Sequence, residues 1–206
     1  MDRSTEDLAA PHAEGATPLT EEELEGLLIP SIGTRAELNA AEQQNVLLGS
    51  LWAEGRRNRR PLDEALVWEL HRQMFGQVWQ WAGTPRKTGK NLGVPIDRIR
   101  PDIRDLLKDV AIQRTSPNTD RHALCATFHQ RLVYIHAFPN GNGRHARLMT
   151  DVLAAQLGLA APTWGGDDLT SAGESRRRYI ETLRLADNGE LGPLVKFIWT
   201  NRDTAD

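Results

Sequence analysis

With 206 residues, 39% of them hydrophobic and 26% charged, and a net charge of −3, the chain has the composition of an ordinary globular protein able to bury a sizeable core. The weak acidic balance gives no electrostatic footprint for nucleic acid, and no run approaches the roughly 18 apolar residues of a membrane span. Cys125 is the single cysteine, which excludes an intrachain disulfide, and without a leader-like opening the expected location is the cytoplasm.

Residues 1–18 are polar, mixed in charge and rich in Ala, Gly and Pro, and are expected to form a flexible N-terminal arm. Thr20-Glu-Glu-Glu23 fits a capping box that starts a short acidic helix carrying Leu24, Leu27 and Leu28. The stretch 34–52 reads as a long helix with Leu38, Ala41, Val46, Leu47, Leu48, Leu51 and Trp52 inward and Glu37, Glu42, Gln43 and Asn45 outward. These segments make an N-terminal helical unit, 19–55. Arg56, Arg57, Arg59 and Arg60 form a basic connector of the kind usually found as a solvated turn. Pro61, followed by Asp63 and Glu64, opens a helix with Leu66, Trp68, Leu70, His71, Met74 and Phe75 inside, and His71 reads as a core histidine rather than a ligand. The segment 84–96, punctuated by Gly89 and Gly93, is the one stretch with hairpin character. Helices are expected over 99–112 and 122–135, the latter holding Cys125 as an inert core thiol, and a closing pair carries Tyr179, Leu183 and Leu185, then Leu194, Phe197, Ile198 and Trp199. The chain is therefore expected to be all-α, a helical bundle with one small β-hairpin, a main unit over 56–200 and a short tail at 201–206.

The chemistry concentrates in His136-Ala-Phe-Pro-Asn-Gly-Asn-Gly-Arg-His-Ala-Arg147. An apolar approach (Leu132, Val133, Ile135) delivers His136, the next residues break regular structure, and a new helix begins with Met149, Val152, Leu153 and Leu157 on its buried side. A helix start carries free N–H groups and partial positive charge, so Arg144 and Arg147 near it are unfavourable unless an anion is present. Gly141 and Gly143 permit positive φ, and Asn142 suits an N-cap, so the loop can form an anion nest closed by the two arginines. The residues alone leave a second reading open, a Gly/Asn-rich turn between core helices with its arginines in water. A metallohydrolase built on His122, His129 and His136 is disfavoured, because their spacing lacks HExxH-like logic and partnering carboxylates.

His136-x-Phe138-x-x-Gly141-Asn142-Gly143-Arg144-x-x-Arg147 resembles the signature of the Fic family, nucleotidyl transferases that modify protein hydroxyl groups, and the likeness extends over about 34–200. Within the family, Thr34-Arg-Ala-Glu-Leu-Asn39 and the loop are most similar to the subgroup called mobile mystery protein B. The resemblance implies a Fic-like helical fold and a protein adenylyltransferase (AMPylator) that moves AMP from ATP to a Ser, Thr or Tyr hydroxyl of a target protein. It makes His136 the general base, Phe138 the loop anchor, and Gly141, Asn142, Gly143, Arg144 and Arg147 the phosphate-binding set. The segment with Thr84, Lys87, Thr88 and Gly89 resembles the target-binding flap. Asn140 stands where the family usually has an acidic Mg²⁺ ligand; an amide oxygen is a neutral and weaker donor, so metal would be held mainly by the phosphates. The family's inhibitory pattern is absent in its strict form, yet the helix over 34–52 lies where an inhibitory helix would be, with Glu42 as candidate partner for Arg147 and Glu37 second. The alternatives are a nucleotide-binding interaction protein with little catalysis, or Fic-type transfer of another nucleotide or a phosphoryl group. The subgroup further implies a helix-turn-helix partner protein.

Overall fold

The computed structural model describes residues 8, 17–55, 61–90, 92–166, 169 and 173–200. In chain order the helices are α1 (Glu21–Leu24), α2 (Arg35–Glu54), α3 (Glu64–Phe75), α4 (Ile99–Gln113), α5 (Arg121–Ile135), α6 (Asn142–Gln156), α7 (Glu174–Asp187) and α8 (Gly192–Trp199). Single 3₁₀ turns stand at Ile96–Arg98 and Trp164–Gly166. Among the described residues there is no strand; the one isolated bridge pairs Leu27 with Trp79.

Helix starts are set by local chemistry. Thr20 and Thr34 each close a capping box, with Glu23 and Glu37 returning the bond. Asp63 accepts the Leu66 N–H at 2.8 Å, so α3 begins there rather than at Pro61. Asp120 accepts from His122 and Ala123 at 2.9 and 3.1 Å to start α5.

The helices pack as neighbours, α2 along α3, α5 along α6 and α7 against α8, with α4 on the outer side of α5. One apolar core joins α2 to α6, and a second, smaller one forms where Tyr179, Leu183, Leu194, Phe197 and Ile198 meet Ala126 and Leu169. Cys125 is fully buried in the first, and burial pushes its thiol up to about 12, as suits an inert side chain.

Three expectations need correction. The inward face of α2 is Leu38, Glu42, Asn45, Gly49 and Ala53, while Leu47, Leu48 and Leu51 are exposed. The reason is close approach: a Cβ at Gly49 would lie 2.6 Å from Met74 Cγ, so small and hydrogen-bonded residues face α3. Asn45 serves that contact by donating to the Gln73 carbonyl and accepting from the Gln77 N–H.

The hairpin over 84–96 is a loop. Its backbone pairs with the end of α5 and the chain just after it instead of with itself, through Arg86 N–H to Ala137 O at 2.8 Å and Val94 N–H to Ile135 O at 3.4 Å. The Arg86 guanidinium fills the space between the two sides, donating to the carbonyls of His136, Thr88 and Val94.

The arm is pinned at its end. Thr17 and Leu19 are buried, Lys90 Nζ donates to the Pro18 carbonyl at 2.9 Å, and Leu8 is buried in the main core. The remainder of the arm, the run Arg56, Arg57, Arg59 and Arg60, Asn91 and the tail 201–206 lie outside the described residues.

Candidate functional site

The loop between α5 and α6 is built by three side chains that face inward. His136 ends α5 in the left-handed region, φ 52° and ψ 58°, a conformation rare for a residue with a Cβ, and its carbonyl is held by Arg86 Nε at 2.7 Å. Phe138 is buried, stacked on His71 at 3.6 Å between centroids and edge-on to Trp68 at 5.5 Å. Its ring packing fixes the loop against α3. Asn142 closes the turn, its Oδ1 accepting the Phe138 N–H at 2.9 Å and its Nδ2 donating to the Phe138 carbonyl at 2.8 Å.

That arrangement changes the expected roles of two loop residues. The N-cap of α6 is Gly141, at φ 81°, and not Asn142, whose amide bonds the Phe138 backbone at both ends inside the loop. Gly141 is required by contact as well as by φ, since a Cβ there would lie 2.4 Å from Phe75 Cζ. Gly143 is an ordinary helical residue without positive φ.

Four buried histidines surround this loop, and hydrogen bonding fixes their tautomers. His71 Nδ1 accepts the Gly83 N–H at 3.0 Å, which leaves Nε2–H to donate to the Asn140 carbonyl at 3.1 Å. His145 Nε2 donates to the Val67 carbonyl at 2.9 Å. The His136 ring bonds the Val133 carbonyl, so its other nitrogen, Nε2, presents a lone pair to the cleft, where it meets Thr17 Oγ1 at 2.9 Å. Burial first, then the Arg86 and Lys90 charges, lowers His136 to about 4, so its imidazole is neutral at pH 7. Burial likewise lowers His145 to about 4 and His71 well below its usual value.

Arg144 and Arg147 stand one turn apart on α6, Arg144 over the Phe75 ring at 4.8 Å and Arg147 over the Tyr179 ring at 5.8 Å. They line a cleft of about 730 Å³ together with Thr17, Glu42, His136 and Tyr179. This is within the roughly 300–1,000 Å³ of small-molecule sites. Behind Arg147, Tyr179 Oη also bonds Arg147 and lies 2.9 Å from His129 Nε2. Thr150 donates to the Ala146 carbonyl, so its oxygen is left to accept from His129 Nδ1 at 3.4 Å, and His129 Nε2 takes the Tyr179 O–H. Burial and the Arg147 charge lower His129 to about 3, and burial also lowers Arg147 from the usual arginine value.

Glu42 reaches the cleft from α2, but its partner is Arg144, not Arg147. Oε2 accepts from Arg144 Nη2 at 2.7 Å, and Oε1 accepts from Trp79 Nε1 at 2.7 Å and Asn140 Nδ2 at 3.0 Å. Glu42 is buried within that ring of donors. Glu37 is on the exposed start of α2, where its carboxylate accepts the Gly33 and Thr34 N–H groups as a cap.

Asn140 does not fit the metal role. Its Oδ1 accepts the Gly141 N–H at 2.7 Å and its Nδ2 donates to Glu42, so a single lone pair of a neutral oxygen is all it has left for a cation. The nearest carboxylate, Glu42, already holds three donors, and among the described residues no group of three His, Cys, Asp or Glu could hold a metal ion.

The flap residues are divided between tasks. Thr84 Oγ1 closes a turn on the Trp81 carbonyl at 2.6 Å, and Lys87 and Gly89 are exposed. Thr88 Oγ1 donates to Glu23 Oε1 at 2.6 Å, and Lys90 pairs with Glu23 Oε2 at 2.5 Å. The protein's own N-terminal segment is therefore seated on the flap. Burial alone would raise Glu23; Lys90, Thr88 and the Thr20 N–H outweigh it and hold the carboxyl below its usual value. Thr17, Arg86, Trp79, His129 and Tyr179 were not legible as site residues. Of these only the Trp79-x-Trp81 pair carried a signal, its rings now stacked at 4.9 Å, one tethering Glu42 and the other the Glu23 carbonyl.

Residues 61–154 match the Fic/DOC family model. The chain is 34% identical over 136 residues to a protein adenylyltransferase Fic of Drosophila melanogaster and 28% identical over 139 residues to one of Nematostella vectensis. Those matches cover 64% and 63% of this chain but only 26% and 30% of the relatives, so the chain spans less than a third of their length. Among solved structures, C. elegans Fic-1 aligns over 96% of this chain and 60% of its own, with TM-score 0.59 and 25% identity. BepC of Bartonella tribocorum, solved with bound AMPPNP, aligns over 87% of this chain and 96% of its own with TM-score 0.64; at 17% identity it shows the fold alone.

Proposed function

From the match of residues 61–154 to the Fic/DOC family model, we propose that the chain is a protein adenylyltransferase that moves AMP from ATP to a protein hydroxyl group and is held down by Glu42. The observation that carries this reading is the convergence in one cleft of a neutral imidazole, His136, with Arg144 and Arg147 at the start of α6. His136 Nε2 takes the proton of the attacking hydroxyl, a task suited to a lone pair that is unprotonated at neutral pH. The first-turn N–H groups of α6 and the two arginines hold the β and γ groups and stabilise the departing pyrophosphate. Tyr179 and His129 position Arg147 from behind, and the flap, pinned by Arg86, sets the target segment beside His136.

Glu42 blocks this arrangement by holding Arg144. The carboxylate occupies Nη2 of that guanidinium and offsets its charge, so Glu42 competes with the nucleotide rather than with the target. The relatives are named adenylyltransferases, which supports AMP as the transferred group. Asn140 favours one second reading, nucleotide binding without transfer, because the position offers no carboxylate.

The test compares wild type and His136→Ala in cell lysate with α-labelled and γ-labelled ATP. Adenylyl transfer predicts protein label from the α form only, lost on His136→Ala. Label from the γ form would point to phosphoryl transfer, and binding without label to the second reading.

A further inference from the structure

Thr17 and His136 are 119 positions apart, yet Thr17 Oγ1 lies 2.9 Å from His136 Nε2, with both residues buried at 8% and 7% exposure. Among the described residues that follow Thr17, four are tied down. Pro18 accepts from Lys90 Nζ, Leu19 is in the core, Thr20 caps α1, and Glu23 accepts from Thr88 and Lys90. With one His136 nitrogen on the Val133 carbonyl, Nε2 accepts the Thr17 O–H. This is the contact that a general base makes with an attacking hydroxyl. Thr17 also lines the same cleft as Arg144 and Arg147.

Resting on the nucleotidyl-transfer reading above, we infer that Thr17 is the acceptor hydroxyl of a self-modification reaction, in which the chain adenylylates its own N-terminal segment. His136 Nε2 takes the proton from Thr17 Oγ1 as that oxygen bonds to the α-phosphorus of a nucleoside triphosphate. The bond from the α-phosphorus to the α,β-bridging oxygen breaks, and pyrophosphate leaves with the electron pair. The proton then passes from His136 to pyrophosphate or water, leaving a phosphodiester on Thr17. Of the neighbouring hydroxyls, Thr20 Oγ1 caps α1 by accepting the Glu23 N–H, and Thr88 donates its proton to Glu23. While unmodified, Thr17 also fills the acceptor position and competes with any external hydroxyl.

The experiment incubates the full chain, in wild-type and Glu42→Gly forms, with α-labelled ATP and examines the peptide between Arg3 and Arg35 by mass spectrometry. The expected result is one AMP on Thr17 in Glu42→Gly, at a rate independent of protein concentration. Thr17→Ser keeps the label, whereas Thr17→Val loses it from this peptide and transfers more label to lysate proteins. Label on other residues or other proteins with Thr17 unmodified overturns this inference alone. Label nowhere, in the chain or the lysate, overturns the transferase reading with it.

Discussion

Glu42 Oε2 lies 2.7 Å from Arg144 Nη2, joining α2 to the first turn of α6, while its other oxygen binds Trp79 and Asn140. The carboxylate is therefore a structural tie and a block on one arm of the phosphate clamp. Replacement by Gln keeps an acceptor for Trp79 and removes the negative charge that faces Arg144; replacement by Gly removes both the acceptor and the charge. Both variants are expected to bind ATP more tightly than wild type, measured by titration calorimetry. Glu42→Gly should be the less stable, by about 1–3 kcal/mol in urea unfolding, because buried donors lose their partner.

Arg86 is 2% exposed and holds the carbonyls of His136, Thr88 and Val94. Arg86→Met leaves all three without that donor and should lower stability by about 3 kcal/mol. Because Arg86 serves the flap and not the phosphate clamp, nucleotide affinity should fall much less than label transfer to protein, a split read by calorimetry and label transfer on the same preparation.

Tyr179 Oη joins Arg147 to His129 Nε2. Tyr179→Phe retains the ring under Arg147 and removes only the oxygen, so the expected loss is about 1 kcal/mol in ATP affinity, with unfolding stability reduced by a similar amount. Unchanged ATP affinity would remove Tyr179 from the positioning of Arg147.

The buried histidines make stability pH-dependent. His129 is lowered to about 3, His136 and His145 to about 4, and His71 in the same direction. Their unfolded-state values are near 6.5, so between that pH and about 4 the unfolded chain binds more protons than the folded one, and stability falls as pH falls. At pH 5 the loss is of the order of 2 kcal/mol for each of His129, His136 and His145. Urea midpoints measured from pH 7.5 to 5 should decline steeply below pH 6.5, and His145→Gln should flatten the decline.

What was legible in the sequence were the features governed by local periodicity and capping. The starts at Thr20 and the apolar faces of α4, α6 and α8 follow from spacing, and the loop from His136 to Arg147 stands out by its own chemistry. The inward face of α2 was not legible, because Glu42, Asn45 and Gly49 are chosen for contact with Met74, Trp79 and Arg144, which lie far along the chain. The hairpin expectation failed for a related reason: Arg86 supplies from a side chain the donors a strand would supply from its backbone. Thr17 sat in a polar stretch without period, and only the fold brings it to His136.

The central claim is that His136 drives adenylyl transfer once Glu42 releases Arg144. Its most direct test is label incorporation from α-labelled ATP by purified wild type, Glu42→Gly and the double variant Glu42→Gly/His136→Ala. Little label is expected in wild type, a large increase in Glu42→Gly and none in the double variant. Equal label in Glu42→Gly and the double variant, or no label in Glu42→Gly while it binds ATP, would contradict it.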